Sequence, residues 1–151
     1  MSLTTAQLNT LYTAMQADAN VTPLLAVGNQ GAIAAYYNAA SAQNVWNPAF
    51  PVSVLPSCIV GSAFAALTLQ LQNTYFAMTQ ATTLDGTNPN VQATFAFIFG
   101  AGSQTILNFA ALAGRLATRF EDLFTTNSVV GQGLYGYVVQ VSDIAAALVV
   151  A

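Results

Sequence analysis

The residues best suited to chemistry lie together in one segment, 115-RLATRFED-122. Arg115 and Arg119 are four residues apart and Asp122 follows three later, so on a helix their side chains are neighbours able to form local ion pairs. Glu121 and Asp122 are adjacent and would project in different directions, which disfavours a shared carboxylate site. The segment fits either an exposed polar face or an intersubunit contact in which an arginine meets a neighbour's carboxylate.

The rest of the chain lacks the residue types that most catalytic and metal sites need. Its charged residues are two basic and five acidic ones, and it has no histidine, the commonest general acid or base. Metal sites usually need clustered His, Cys or carboxylate ligands. We therefore expect no enzyme, catalytic residue, metal, cofactor or small-molecule ligand.

The remaining acids and the single cysteine have ordinary structural explanations. Asp18, Asp85 and Asp143 each lie at a predicted helix end or turn, where aspartate commonly caps the backbone. Cys58 cannot form an intrachain disulfide, and its apolar surroundings predict a core position.

Scarcity of charge limits the partners of the chain. Charged residues make up 5% of its 151 residues and hydrophobic ones 55%. Two cationic residues cannot form a phosphate-binding face, which excludes nucleic acid as a partner. A surface of neutral polar groups loses little free energy when it leaves water, because such groups are easier to desolvate than ions. The composition therefore favours a surface covered by other proteins.

A membrane span is disfavoured, although no charged residue occurs between positions 19 and 84. The most apolar stretch, 54–71, is near the minimum spanning length but contains Pro56, Gly61 and Gln70. It also lacks a basic flank that would set its orientation. We predict that this stretch is a buried helix.

The spacing of apolar residues predicts a mainly helical chain. Residues 3–19 place Leu8, Leu11 and Met15 on one stripe, with Thr4 or Thr5 as N-cap. Further helices are predicted at 23–28, 30–40, 57–79, 91–99, 104–124 and 143–151, the last capped by Ser142. The one predicted strand is 134–141, which is rich in aromatic and β-branched residues.

Three prolines in 43–56 predict an extended connector. Within it, Trp46 is expected to anchor the connector on the core, with a ligand-facing position as the alternative. The chain is thus predicted to be a single domain, 1–151, of the mainly α class. Its architecture is expected to be a compact helical bundle of about five to six helices with a small β element near the C-terminus.

Several motifs resemble an uncharacterised family of proteins of similar length, encoded among the structural genes of tailed bacteriophages. The most specific is the R-x-A-T-R-x-E-x-L-F pattern within 115-RLATRFEDLFTTN-127. The other similar stretches are 28-GNQGAIAAYYNA-39, 45-VW-46 with 51-PV-52, 88-NPN-90, 95-FAFIFGAG-102 and 134-LYGYVVQVSDIAAAL-148. Departures are the missing lysines, Phe120 in place of a small residue and 131-GQG-133 in place of a "GTGT" loop.

The resemblance implies a virion structural protein that is assembled in the host cytoplasm, and it transfers no catalytic residue. We expect packing against copies of itself and other virion proteins, at the head–tail junction or tail. The candidate subunit contacts are Arg115, Arg119, Glu121, Asp122 and Trp46, and the predicted strand could pair with a neighbour's edge strand. Open alternatives are a capsid decoration or cement protein, an assembly chaperone and a small membrane-associated phage protein.

Overall fold

A computed structural model describes residues 2–131 and 133–150. This part of the chain is mainly α with small β elements, which confirms the predicted class. It contains ten α-helices instead of the expected five to six, together with one 3-10 helix and six short strands. The bundle arrangement stays a prediction.

The helices and strands are numbered in chain order. The helices are α1 (Thr5–Ala17), α2 (Thr22–Ala26), α3 (Gln30–Asn38), α4 (Leu55–Cys58), α5 (Gly61–Ala65), α6 (Leu69–Met78), α7 (Pro89–Phe99), α8 (Gln104–Ala113), α9 (Arg119–Asp122) and α10 (Val141–Val149), with the 3-10 helix at Val52–Val54. The strands are β1 (Ala40–Trp46), β2 (Phe50–Pro51), β3 (Thr83–Leu84), β4 (Gly114–Thr118), β5 (Thr125–Thr126) and β6 (Val129–Val130). They pair as β1 with β4, β2 with β3 and β5 with β6.

The chain folds into two compact units. The terminal unit contains the residues up to Gln43 and those from Leu116 onward, whereas the central unit is Asn44–Arg115. The single domain that we expected from the sequence stays a prediction.

In the terminal unit, helix α1 begins as the sequence predicts. The Thr4 hydroxyl accepts a hydrogen bond from the Gln7 N–H at 3.3 Å, and the Gln7 side chain accepts one from the Thr4 N–H at 2.8 Å. This reciprocal cap satisfies two backbone donors that the first turn leaves free. The helix buries Leu8, Leu11 and Met15, the predicted stripe, and packs against α10, which also contacts α3.

The central unit is built around stacked aromatic rings. Phe95 and Phe109 lie parallel with centroids 4.5 Å apart, and Phe50 meets Phe109 edge to face at 5.6 Å. Cys58 is buried in this core, as predicted. Trp46 is partly buried and stacks on Phe109 at 6.2 Å, which confirms its predicted role as an anchor.

The predicted helix 104–124 is wrong, because α8 ends at Ala113 and the chain continues as β4 and then α9. Gly114 turns into extended backbone, and a Cβ there would lie 2.8 Å from the Ala110 carbonyl oxygen. Thr118 then adopts an extended conformation and caps α9. The spacing of apolar residues continues through this break, because that spacing does not indicate where the backbone changes conformation.

The predicted helix 57–79 is also wrong, because three shorter helices, α4, α5 and α6, occupy this region. The chain is extended at Ile59 and Val60, where the Thr105 hydroxyl accepts a hydrogen bond from the Val60 N–H at 3.1 Å. The Asn108 amide donates to the Cys58 carbonyl at 3.0 Å. Side chains of α8 thus satisfy backbone groups that a continuous helix would have paired internally.

The predicted strand 134–141 is wrong as well. Residues 134–140 form turns and irregular backbone, and α10 begins at Val141 with Gln140 as its N-cap instead of Ser142. Gly136 has a positive φ of 74°, which interrupts extended backbone. The expected pairing of this strand with a neighbour's edge strand therefore has no basis here.

Among residues 2–131 and 133–150, no helix combines the length and apolar character needed to cross a bilayer.

Candidate functional site

The charged segment does not lie on one helix face. Arg115 is on β4 in the central unit, whereas Arg119, Glu121 and Asp122 form most of the short helix α9 in the terminal unit. The prediction that the two arginines lie on one helix face is therefore wrong. Trp46, the remaining candidate contact, belongs to the central unit.

Glu121 is fully buried in the terminal unit. One carboxylate oxygen accepts a hydrogen bond from the Thr118 N–H at 2.8 Å, and the other accepts one from the Gly136 N–H at 2.6 Å. The Thr118 hydroxyl accepts from the Glu121 N–H at 3.1 Å, which completes a capping box. This geometry gives the acid a structural role.

Arg119 is held by Tyr36 of helix α3. The guanidinium carbon lies 4.1 Å from the centroid of the Tyr36 ring, and one terminal nitrogen donates to the Tyr36 carbonyl at 3.1 Å. The Arg119 N–H also donates to the Ala39 carbonyl at 2.9 Å. Stacking and hydrogen bonding together fix the orientation of the guanidinium.

Arg119 and Asp122 line a groove of about 920 Å³ that lies wholly within the terminal unit. Its wall is formed largely by small side chains of α1 and the start of β1, including Ala14, Ala17 and Ser41. The polar lining comes from Asp18, Asn20, Tyr36, Tyr37, Arg119 and Asp122.

Asp18 is held at the edge of this groove by its neighbours. One carboxylate oxygen accepts hydrogen bonds from the backbone N–H of Asn20 at 2.8 Å and from its side-chain amide at 3.1 Å. Burial acts to raise the pKa of Asp18, but the hydrogen bonds from Asn20 and Tyr36 and the charge of Arg119 together lower it. The carboxyl group is therefore ionised at neutral pH.

Tyr37 is the least satisfied polar residue of the groove. Its side chain is 2% exposed, and its hydroxyl has no hydrogen-bond partner among the described residues. Burial, followed by the negative charge of Asp18 and the nearby Tyr36 hydroxyl, raises the pKa of Tyr37 well above the ordinary tyrosine value. Leaving a buried hydroxyl without a partner costs about 1–3 kcal/mol. The buried hydroxyl of Tyr37 therefore lowers the stability of the terminal unit.

The central unit has an apolar groove of about 470 Å³. Its lining includes the aromatic rings of Phe64, Tyr75 and Phe76, and Val52, Pro56 and Ile59 contribute the remaining large side chains. Phe64 meets Tyr75 and Phe76 edge to face, with centroid distances of 5.4 and 5.8 Å. These rings support one another, so the groove is preformed.

The central unit also exposes several large apolar side chains. Leu69 and Phe97 are 73% and 74% exposed, and the further exposed members are Val54, Phe76, Leu107 and Leu112. Leu69 and Phe76 are seven residues apart on α6, so they share one helix face. Asp85 and Arg115 are the charged residues of the central unit, Asn44–Arg115.

Sequence reasoning missed Asp18, Asn20, Tyr36 and Tyr37 as a group with Arg119. Asp18 and Asn20 are readable as a turn, and the tyrosines as part of α3. Nothing in their spacing links positions 18, 36 and 119, because folding of the terminal unit brings these positions together. As for metals, the described residues contain no group of three or more His, Cys, Asp or Glu side chains that could hold an ion.

Comparisons with known proteins do not assign the chain to a class of protein. No protein-family model matches the chain, and neither the curated proteins nor the solved structures include a significant match. The resemblance to tailed-phage structural proteins stays a prediction.

Proposed function

We propose that the chain is a non-catalytic structural protein of a bacteriophage virion that acts by packing against other subunits. In this role it contacts copies of itself and other virion proteins at the head–tail junction or tail. The motif resemblance supports the phage context, and the scarcity of charge supports function through contact area.

The exposed apolar surface of the central unit is the observation that carries the proposal. Leu69 and Phe97 expose about three quarters of their surface, and Phe76 adds to the apolar face of α6. Each Å² of apolar surface that leaves water contributes roughly 25 cal/mol to association. Covering these side chains with neighbouring subunits would drive association.

The decisive experiment is mass spectrometry of purified particles of the phage that encodes the chain, separated into heads and tails. The proposal expects the chain in the tail or junction fraction at a fixed ratio to known structural proteins. Its presence only on heads would favour a decoration or cement protein, and its absence from every fraction would indicate a chaperone or a membrane-associated protein.

A matched pair of variants tests the surface itself. Phe97→Ser should reduce incorporation into particles, because it removes apolar contact area from the central unit. Val27→Ser changes a side chain of equal exposure, 75%, in the terminal unit and should leave incorporation unchanged. Equal incorporation of both variants would argue against the central unit as the contact surface.

A further inference from the structure

The apolar groove of the central unit contains a hydrogen-bond donor that has no acceptor. Tyr75 lines this groove and is 6% exposed. Its hydroxyl makes no hydrogen bond to any residue that the structure describes. The hydroxyl still has accessible surface, because the one sealed hydroxyl without a partner in the described part of the chain is that of Tyr37. The groove therefore fits an apolar occupant that carries an acceptor for Tyr75.

The lining of the groove defines this occupant more closely. None of the lining side chains that the structure describes is charged, so a charged occupant would lose its hydration without gaining a counter-ion. The rings of Phe64, Tyr75 and Phe76 meet one another edge to face, with centroids 5.4, 5.7 and 5.8 Å apart. A volume of about 470 Å³ has room for a further ring, since a cavity of roughly 150 Å³ holds benzene. The best occupant is a neutral aromatic group with a carbonyl beside it.

Phe97 of helix α7 offers both of these groups. Its side chain is 74% exposed. Phe97 lies in the last turn of α7, where backbone carbonyls lack partners within the helix. The Gly100 N–H donates to the Ala96 carbonyl, and no described residue donates to the carbonyl of Phe97. Phe97 thus presents an exposed ring next to a backbone acceptor without a partner in the described structure.

The ring of Phe97 points away from Tyr75 of its own chain. Tyr75 contacts the rings of Phe95 and Phe99 on α7, with centroids 6.5 and 5.9 Å away. Phe97 is two residues from each of them, which places its side chain about 200° further round the helix. The Phe97 ring is therefore presented to a different molecule and not to the groove of its own chain.

We propose that the groove of one copy of the chain holds the Phe97 side chain of a second copy, with the Tyr75 hydroxyl donating to the Phe97 carbonyl. The groove and the ring are different surfaces of one chain, so the contact is heterologous. Repeated contacts of this kind generate a closed ring or a filament.

The size of the contact indicates that it anchors a larger interface. One buried aromatic ring contributes about 150–250 Å², whereas a stable interface buries about 1,200–2,000 Å² in total. The apolar surface continues beyond the groove, because Leu69 is 73% exposed and shares a face of α6 with Phe76. Such a surface suits a second protein molecule better than a small ligand confined to the groove.

This contact rests on the part of the proposed function in which copies of the chain pack against one another, and it names the two surfaces. The two proposals fail separately. Self-association of the purified chain needs no particle, and the mass spectrometry of particles needs no contact between copies. A chain that is present in particles but does not self-associate through the groove would overturn this contact alone.

The test is sedimentation velocity of the full, purified chain over a series of concentrations. We expect the average mass to rise with concentration beyond that of a dimer. Phe97→Ala removes the ring, and Gly61→Leu fills the groove, because Gly61 lines it and a Cβ there meets no atom within 4 Å. Each change should weaken association at least about tenfold. Val27→Ala, at a 75% exposed position of the terminal unit, is the control and should leave association unchanged.

A mixture of the two variants tests the head-to-tail geometry. The Phe97→Ala chain keeps its groove and the Gly61→Leu chain keeps its ring, so an equal mixture should form pairs that grow no further, while each variant alone stays monomeric. Circular dichroism verifies that both variants fold. A monomeric wild type, unchanged association of either variant, or a mixture that behaves as its separate components would overturn the proposal.

The hydrogen bond is tested by Tyr75→Phe, which removes the hydroxyl and keeps the ring. This change should weaken association of the otherwise wild-type chain about threefold. Equal association of the variant and the wild type would overturn the assignment of the Phe97 carbonyl as the acceptor for Tyr75.

Discussion

The carboxylate of Glu121 accepts a hydrogen bond from the N–H of Gly136 at 2.6 Å, across 15 residues of chain. The same side chain caps α9 through Thr118, so one buried acid joins the start of a helix to a distant turn. Charge-assisted bonds of this kind are about twice as strong as neutral ones. The acid in the R-x-A-T-R-x-E-x-L-F pattern therefore has a folding role in this chain.

Replacing Glu121 with glutamine should lower the free energy of unfolding by roughly 2 kcal/mol. Glutamine keeps one acceptor oxygen but places an amide donor opposite one of the two N–H groups. Urea unfolding followed by circular dichroism measures the change. Asp122→Asn is the matched control, because Asp122 is half-buried and should shift stability by about 0.5 kcal/mol or less. Equal stability of the two variants would contradict the role assigned to Glu121.

Asn38 fixes the segment that the sequence analysis predicted as a strand. Its amide donates to the Val139 carbonyl at 2.9 Å, and its carbonyl oxygen accepts from the Val139 N–H at 2.8 Å. Asn38→Ala should cost about 1–3 kcal/mol, because both backbone groups lose a partner. Hydrogen exchange of the Val139 amide should also accelerate. Asn9→Ala, at an exposed position of α1, is the control. Unchanged hydrogen exchange of the Val139 amide in the Asn38→Ala variant would contradict the role assigned to Asn38.

Capping residues predicted the start of α1, but not the starts of α9 and α10, although all three helices begin with a capping box. The sequence predicts Thr4 or Thr5 as the N-cap of α1, and in the structure Thr4 is the cap and forms a capping box with Gln7. The Thr118 and Glu121 pair has the same form, but the apolar spacing around it predicts the interior of a longer helix. Capping residues report where the backbone changes direction, whereas spacing reports only burial.

The hydrogen bonds that distant side chains make to backbone groups could not be predicted from the sequence. The break at Val60 depends on Thr105, and the irregular backbone at Val139 depends on Asn38, which are 45 and 101 residues away along the chain. A side chain that takes the place of a hydrogen-bond partner in a helix or strand produces no periodic pattern in the sequence. The groove around Arg119 could not be predicted for the same reason. The sequence shows the charge of Arg119, but it does not show which residues lie next to it in the fold.

Alkaline pH should destabilise the fold through its tyrosines. Burial raises the pKa of Tyr75, and burial together with the hydrogen bond to Asp143 raises the pKa of Tyr137 to about 12. The unfolded chain releases these protons near pH 10, so it binds fewer protons than the folded chain between about pH 10 and 12. The stabilisation is complete below this window and is lost as pH rises through it.

Urea unfolding at a series of pH values tests this expectation. The free energy of unfolding should show no tyrosine-dependent change from about pH 7 to 9 and should fall above about pH 10. Tyr137→Phe should make the fall less steep, because one raised pKa is removed while the ring remains. An identical slope in the wild type and the variant would contradict a raised pKa of Tyr137.

The stacking of Arg119 on Tyr36 can be separated from the other contacts of both residues by a double-mutant cycle. Arg119→Ala removes the stack and the hydrogen bond to the Tyr36 carbonyl, while Tyr36→Leu removes the ring but keeps that carbonyl. The cycle thus isolates the cation–π contact, for which we expect a coupling of about 0.5–1 kcal/mol in this half-exposed setting. Additive losses in the double variant would show that the ring does not hold the guanidinium.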